Sequence, residues 1–184
     1  QGHAITIENP LRLNSVEVFD GIKSYECNGT PADCVKLAKH LLRKNQPIDL
    51  CLSGINHGSN ASVNIIYSGT MSAAMEAAIE GINSIGFSLL DYSYNADFSA
   101  AKHVVRTLLE SIMEQGFQPE CNLLNVNIPK VSKEELKGVK VCRQANGYWK
   151  EEFIVGTDPR KQDYYWLTGE FVNRDAGEDT DLHA

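Results

Sequence analysis

The segment Ser53-Gly-Ile-Asn-His-Gly-Ser-Asn60 holds the residue types best suited to chemistry, and it follows directly on the apolar run Pro47–Leu52. Its glycines let the backbone come close to a ligand, and the amide oxygens of Asn56 and Asn60 are neutral hard donors, fit for a divalent cation or for fixing a phosphoryl group. A solvated turn stitched by asparagine side chains uses the same residues. Further on, Tyr67-Ser-Gly-Thr70 precedes a helical pattern. The unpaired amides and dipole at a helix start favour an anion, although an ordinary N-cap has the same composition. Together the two loops could converge on one phosphate, at the carboxyl ends of strands where open α/β sheets bind ligands. Tyr92 and Tyr94 are base-binding candidates by position only, and solvent-facing loop tyrosines are the plainer reading. Cys51 lies in an apolar run that raises a thiol pKa, so it reads as a core residue and not a nucleophile.

Positioning these loops requires strands and helices on either side. Ile5–Ile7, Val16–Phe19 and Ser24–Cys27 read as peripheral strands. Thr30-Pro-Ala-Asp33 opens a helix with a hydroxyl cap, a proline at the first position and a carboxylate in the first turn. Cys34, Leu37, Ala38, Leu41 and Leu42 then predict one apolar face reaching about Arg43. Pro47–Gly54 predicts a buried strand, Ile55–Gly69 a polar connection, Thr70–Glu80 a helix stopped at Gly81, and Ser84–Leu90 another buried strand. Asp97 or Ser99 caps a long helix through Gln115, whose Ala100, Val104, Val105, Leu108, Leu109 and Ile112 form a stripe, and Asn122–Ile128 returns as strand. This alternation predicts an α/β fold over residues 1–130, a Rossmann-like, mostly parallel sheet with helices on both faces. Residues 131–184 read as a β-rich extension of the same domain. It has a capping box at Ser132–Glu135, strands at Val139–Cys142 and Tyr148–Val155, aromatic strand material at Tyr164–Trp166 and Phe171, and an acidic loop at Asp175–Asp181.

Composition narrows the function classes. The 184 residues are 42% apolar, enough for one sizeable core, and 17 Lys and Arg against 24 Asp and Glu give a net charge of −7. With no basic block, binding to a nucleic-acid polymer is not expected. Apolar stretches are strand-sized, well short of the roughly 20 residues that span a bilayer, so no membrane partner is expected. Gln1–Glu8 shows no secretory signal, and five widely spaced cysteines suit reduced thiols in the cytoplasm.

Gly2-His-Ala-Ile-Thr6, Gly29-Thr-Pro-Ala-Asp-Cys-Val35, Ser53–Asn60, Tyr67–Thr70 and Ala73-Ala-Met-Glu76 occur in the order and spacing of the SurE family. Leu124-Asn-Val-Asn-Ile-Pro129, Asp158-Pro-Arg160, Tyr164–Trp166 and Thr180-Asp181 extend the likeness through nearly all of the chain, which resembles a SurE protein closely. The resemblance implies a metal-dependent phosphomonoesterase acting on nucleoside monophosphates, with Mg²⁺ or Mn²⁺ as cofactor, and a β-rich oligomer contact making a homodimer or homotetramer. It implies Asn56 as a metal ligand, with Asn60, Ser68, Gly69 and Thr70 lining the phosphate pocket. The family's Asn-Asp-Asp-Gly strand end, whose aspartates bind the metal, and its ligand serine are not among these residues. Asp33 and Asp49 do not replace them, so the catalytic residues stay unassigned and this chain alone is expected to be inactive or nearly so. His3 lies where a general acid would be useful, but a surface histidine bonded to backbone is the favoured reading, and His57 is given no role. The competing function is a phosphate- or nucleotide-binding assembly module of the same fold that does not hydrolyse.

Overall fold

Strand β4 (Ser84–Leu89) is buried along its whole length, because it runs parallel between β3 (Cys51–His57) on one side and β5 (Leu123–Ile128) on the other. The computed structural model describes residues 2–42 and 47–184, in two units: 1–60 with 64–137, and 61–63 with 138–184. The sheet lies in the first unit. On one of its faces Ile85, Phe87 and Leu89 form the core with Ile128 and Ala101, and helix α3 (Ser99–Gln115) lays Val104, Val105, Leu108, Leu109 and Ile112 against them. The α3 stripe is thus the one that sequence periodicity predicts. The N-cap of α3 is Phe98, not the expected Asp97 or Ser99, although Asp97 Oδ1 accepts from the Ser99 amide at 2.9 Å and the Ser99 hydroxyl at 2.6 Å just before it.

The other face of β4 presents only Ser84, Gly86 and Ser88, and these small residues let helix α2 (Gly69–Ile79) come close. The Ser84 hydroxyl donates to the Ala74 carbonyl at 2.7 Å, and a Cβ at Gly86 would stand 2.3 Å from Met71 Sδ. Helices therefore cover both faces of a parallel sheet, as the alternating pattern implied. β3 starts later than expected. Pro47–Leu50 is irregular, while Asn56 and His57, expected in the polar connection, pair with Ser88 and Leu89 beyond a register break between Ser53 and Asn56. As the sheet's outer strand in these residues, β3 is only half-buried, with Leu52 exposed.

Helix α1 (Pro31–Leu42) packs on α2, but not through the predicted stripe. Ala32 and Asp33 are buried, whereas Cys34, Ala38, Leu41 and Leu42 face outward. Polar contacts decide the orientation: Lys36 and Lys39 reach Glu80, and Lys36 Nζ also lies 2.5 Å from the buried Glu76. The predicted end of the stripe at Arg43 falls outside the described residues. Ile5–Ile7 is irregular, not a strand, and its Thr6 amide goes to a carboxylate of α1. Asp33 Oδ1 accepts from the Thr6 amide at 3.0 Å and Oδ2 from the Thr30 amide at 2.9 Å, while the Thr30 hydroxyl accepts from the Asp33 amide and donates to the Ala4 carbonyl. Burial pushes the Asp33 carboxyl up, but the bonds from Thr6 and Thr30 outweigh it and hold the group at about 2. A carboxylate depressed in this way stabilises the fold above its ordinary pKa of 3.8 and ceases to as pH falls toward 2. Asp33→Ala is expected to lower unfolding free energy by about 1–3 kcal/mol at neutral pH. Denaturant titrations at pH 7 and in acid should show the gap to wild type narrowing in acid.

β1 (Leu13–Phe19) and β2 (Ile22–Cys27) form an antiparallel ribbon of the first unit. In the second unit β6 (Gly147–Thr157) and β7 (Asp163–Asn173) make a long two-stranded hairpin. Val139–Cys142, expected as strand, is irregular, with Val139 and Val141 exposed. The acidic loop is folded onto one cation: Arg143 meets Asp175 at 2.6 and 2.9 Å and Asp179 at 2.8 Å. These charged bonds hold both carboxyls below their ordinary range. Asp181 accepts from the amides of Ser62 and Ala145, which ties the short segment Ala61–Val63 into this unit. Among the described residues no helix is long and apolar enough to cross a membrane.

Candidate functional site

Beyond the register break of β3 the chain turns at Gly58, whose amide donates to the Leu89 carbonyl at 2.7 Å. Gly54, at the break, has φ +122°, and a Cβ there would lie 2.5 Å from the Phe87 carbonyl oxygen, so only glycine fits. The break re-aims the strand end so that Asn56 lines a cavity of about 440 Å³ shared with Ser53, Asn60, Ser68, Gly69 and Thr70. The structure therefore brings Asn56, Asn60 and the Ser68–Thr70 segment to one place. Pro31, the first residue of α1, and Tyr92 line it too, so two helices begin at the cavity.

Asn56 is held by its nitrogen. Nδ2 donates to the His57 carbonyl at 3.0 Å and the Gly58 carbonyl at 3.1 Å, which fixes which way the amide points. Oδ1 accepts from Asn60 Nδ2 at 3.0 Å and keeps a second lone pair. Asn60 is 2% exposed and is gripped by β5: its amide donates to Asn127 Oδ1 at 2.8 Å and its carbonyl accepts from Asn125 Nδ2 at 3.0 Å. Asn127 Oδ1 also accepts from the buried Ser88 hydroxyl at 2.9 Å, and its Nδ2 donates to Asn125 Oδ1. Sequence reasoning gave Asn125 and Asn127 no role beyond the strand. The available signal was their period of two within an apolar strand, which puts both amides on one face.

At the other wall Ser68 is the N-cap of α2, its Oγ accepting from the Met71 amide at 3.1 Å. The Ser68 hydroxyl is thus partly committed to the helix, while the amides of Gly69 and Thr70, in the first turn, have no intrahelical acceptor. Among the described residues no carboxylate, lysine or arginine lines the cavity, so these residues would meet an anion with amides, hydroxyls and helix dipoles. Asn56 Oδ1 suits one position in the shell of a hard cation. Among the described residues, however, no three His, Cys, Asp or Glu side chains gather to hold a metal, so this donor set alone does not satisfy a divalent ion.

His3 lies away from this cavity. Its Nε2 is 2.8 Å from the Glu76 carboxylate, so it bonds a buried side chain and not backbone. Burial pushes Glu76 up, but hydrogen bonds from Lys36 and His3 prevail and its carboxyl stays below the ordinary range. His57 Nδ1 faces the Asp91 carbonyl at 3.2 Å and its ring meets Phe98 edge-on. Burial pushes the Cys51 thiol up, as an apolar strand should. All five cysteines are free, though Cys34 is exposed.

The family model "Survival protein SurE" matches residues 1–151. The chain belongs to the SurE family. It is 56% identical to the 5'-nucleotidase SurE of Christiangramia forsetii, over all of this chain and 70% of that protein. With the 5'-nucleotidase SurE of Flavobacterium psychrophilum it shares 55% identity, over 98% of this chain and 70% of the relative. The crystal structure of the SurE protein from Aquifex aeolicus superposes with a TM-score of 0.77 at 39% identity, covering 98% of this chain and 71% of the other. The SurE resemblance seen in the sequence blocks is thus shown, together with its mixed α/β fold.

Proposed function

We propose that this protein is a metal-dependent phosphomonoesterase that converts nucleoside 5'-monophosphates, and 3'-monophosphates as a second class, to nucleoside and phosphate. The observation that carries this reading is the convergence of the Asn56–Asn60 amide pair and the start of α2 on one cavity, in a chain similar over its full length to proteins named 5'-nucleotidase SurE. In this reading Asn56 Oδ1 is one ligand of Mg²⁺ or Mn²⁺, and the paired aspartates that the family resemblance implies would complete the shell. When bound, such a cation polarises the phosphoryl group and lowers the pKa of an attacking water. The chain's own groups do the remaining work. The Gly69 and Thr70 amides and the Thr70 hydroxyl hold non-bridging oxygens, Ser68 fixes the helix start that aims them, and Asn60 lines the same pocket while orienting Asn56.

In the complete protein, which would carry the family's paired aspartates, turnover of AMP should require added Mn²⁺ or Mg²⁺ and stop with a chelator, while these 184 residues alone should be inactive or nearly so. Thr70→Ala removes a hydroxyl from the phosphate wall and leaves Asn56 alone, so kcat/KM should fall by roughly 1–3 kcal/mol and inorganic phosphate should inhibit more weakly, with the metal requirement unchanged. A shift in metal affinity alone would refute the assignment. Phosphate binding without turnover at saturating metal would favour the non-hydrolysing assembly module instead.

The β6–β7 hairpin supports an oligomeric protein, with residues 131–184 as its contact region. Its two strands carry Phe153, Ile154, Val155, Tyr165, Trp166 and Leu167 exposed, more apolar surface than a two-stranded ribbon keeps in water. Light scattering at micromolar concentration should return a homodimer or homotetramer, and a stable monomer would refute this. The five free thiols support a reducing compartment, the cytoplasm.

A further inference from the structure

The cavity is larger than a phosphate needs. At about 440 Å³ it falls among cavities that enclose whole small ligands, roughly 300–1,000 Å³. Among the described residues the large side chains that line it are His57, Tyr67 and Tyr92, and Tyr92 is 79% exposed. One side of the ring rests on Gly58: a Cβ there would lie 2.4 Å from Cε1 and 2.8 Å from Cζ, and Gly58 has φ +87°, so only glycine lets the ring settle. The Tyr92 hydroxyl faces the Ser59 amide at 3.4 Å. Its backbone is pinned on either side, because the Asp91 amide donates to the Leu89 carbonyl at 2.7 Å, and the Asp91 carboxylate takes the Ser93 amide at 2.9 Å and Lys130 Nζ at 3.1 Å. Tyr94, two residues on, is 98% exposed and outside the cavity wall.

An aromatic ring packed against backbone at the wall of a ligand cavity has already lost part of the freedom that stacking would otherwise cost. Bases stack on such rings with little regard to identity, since every base has a π-face. Among the described residues the wall holds amides and hydroxyls and no lysine or arginine, which suits a single phosphate and a neutral base. We propose that Tyr92 is the nucleobase platform of this cavity, stacking the base of a nucleoside monophosphate whose phosphate lies at the start of α2. This rests on the nucleotidase reading above and makes Tyr92 a specificity-determining residue, with purine nucleotides held better than pyrimidine ones because of their larger ring.

The test compares AMP with ribose 5-phosphate, which keeps the sugar and phosphate and lacks the base, as substrates of the intact protein at saturating Mn²⁺. Tyr92→Ala should lower the AMP to ribose 5-phosphate ratio of kcat/KM by about tenfold, through KM for AMP and not kcat. Tyr92→Leu, apolar but without a π-face, guards against a folding defect and should behave likewise, while Tyr92→Trp should restore the ratio. Tyr94→Ala should leave it as in wild type. A ratio within twofold of wild type in Tyr92→Ala and Tyr92→Leu, or equal losses on both substrates, overturns the proposal. So does a wild-type protein that uses the two substrates equally well, which leaves the phosphomonoesterase reading intact. Hydrolysis of neither substrate by wild type overturns both.

Discussion

Asn56→Ala is expected to reduce kcat/KM for AMP by ~10²–10³-fold and to weaken the apparent affinity for Mn²⁺, with partial recovery at high metal. The amide of Asn56 is anchored through Nδ2 to two backbone carbonyls, so its oxygen is delivered to the cavity in one orientation and not as one of several rotamers. Truncation removes both the oxygen and the anchors of the Gly58 turn, and it leaves Asn60 Nδ2 without its acceptor. Asn56→Asp separates these losses. It keeps an oxygen and adds charge, which favours a divalent cation, but it sets a carboxylate against the His57 and Gly58 carbonyls. Metal affinity should therefore survive in Asn56→Asp while kcat falls. Mn²⁺ titrations of the initial rate, run beside phosphate inhibition, check both variants. Unchanged metal affinity in Asn56→Ala would remove Asn56 from the ligand set.

The fold was legible where burial alone decides structure. The α3 stripe and the β4 run are written in apolar residues that have one solution, against each other. Legibility failed where polar groups decide. In α1 the apolar spacing pointed one way, but Asp33, Lys36 and Lys39 make bonds that turn the helix the other way, and side-chain partners are not visible in periodicity. Ile5–Ile7 looked like a strand because its residues are β-branched, yet its bonding goes to a carboxylate and not to a ladder. At the site, residue types and glycines singled out both loops. What they could not show is that β3 continues through Asn56 after a register break, because pairing across a break is set by the neighbouring strand, here Ser88 and Leu89. Nor could they show that two asparagines of β5 grip the loop from beneath, since a contact 67 residues apart leaves no local trace.

That grip is the basis of the second large effect. Asn127→Leu keeps the shape of the side chain but removes the oxygen that accepts both the Asn60 amide and the Ser88 hydroxyl. A buried donor left without a partner costs about 1–3 kcal/mol. The Ser88 hydroxyl can rotate to another acceptor. The Asn60 backbone amide cannot, so the loop must shift to bring it to water or leave it unpaired. The shift relieves part of that cost, and it moves the side chain that orients Asn56 Oδ1; a displacement of an ångström in a positioned group costs on the order of 10²-fold in rate. Asn127→Leu should therefore lose about 2–4 kcal/mol of unfolding free energy and, well below its melting temperature, at least tenfold in kcat/KM. Asn127→Asp retains the accepting oxygen and loses only the donation to Asn125, so it should retain more activity than the leucine variant at equal metal. Ser88→Ala leaves the Asn60 bond in place and should change the rate less than threefold, of the order expected when a neutral bond beside the site is lost. Denaturant melts paired with kinetics on the three variants decide the point. A leucine variant that loses stability but keeps the wild-type rate would mean that Asn60 is held in place by its Asn125 and Asn56 bonds alone.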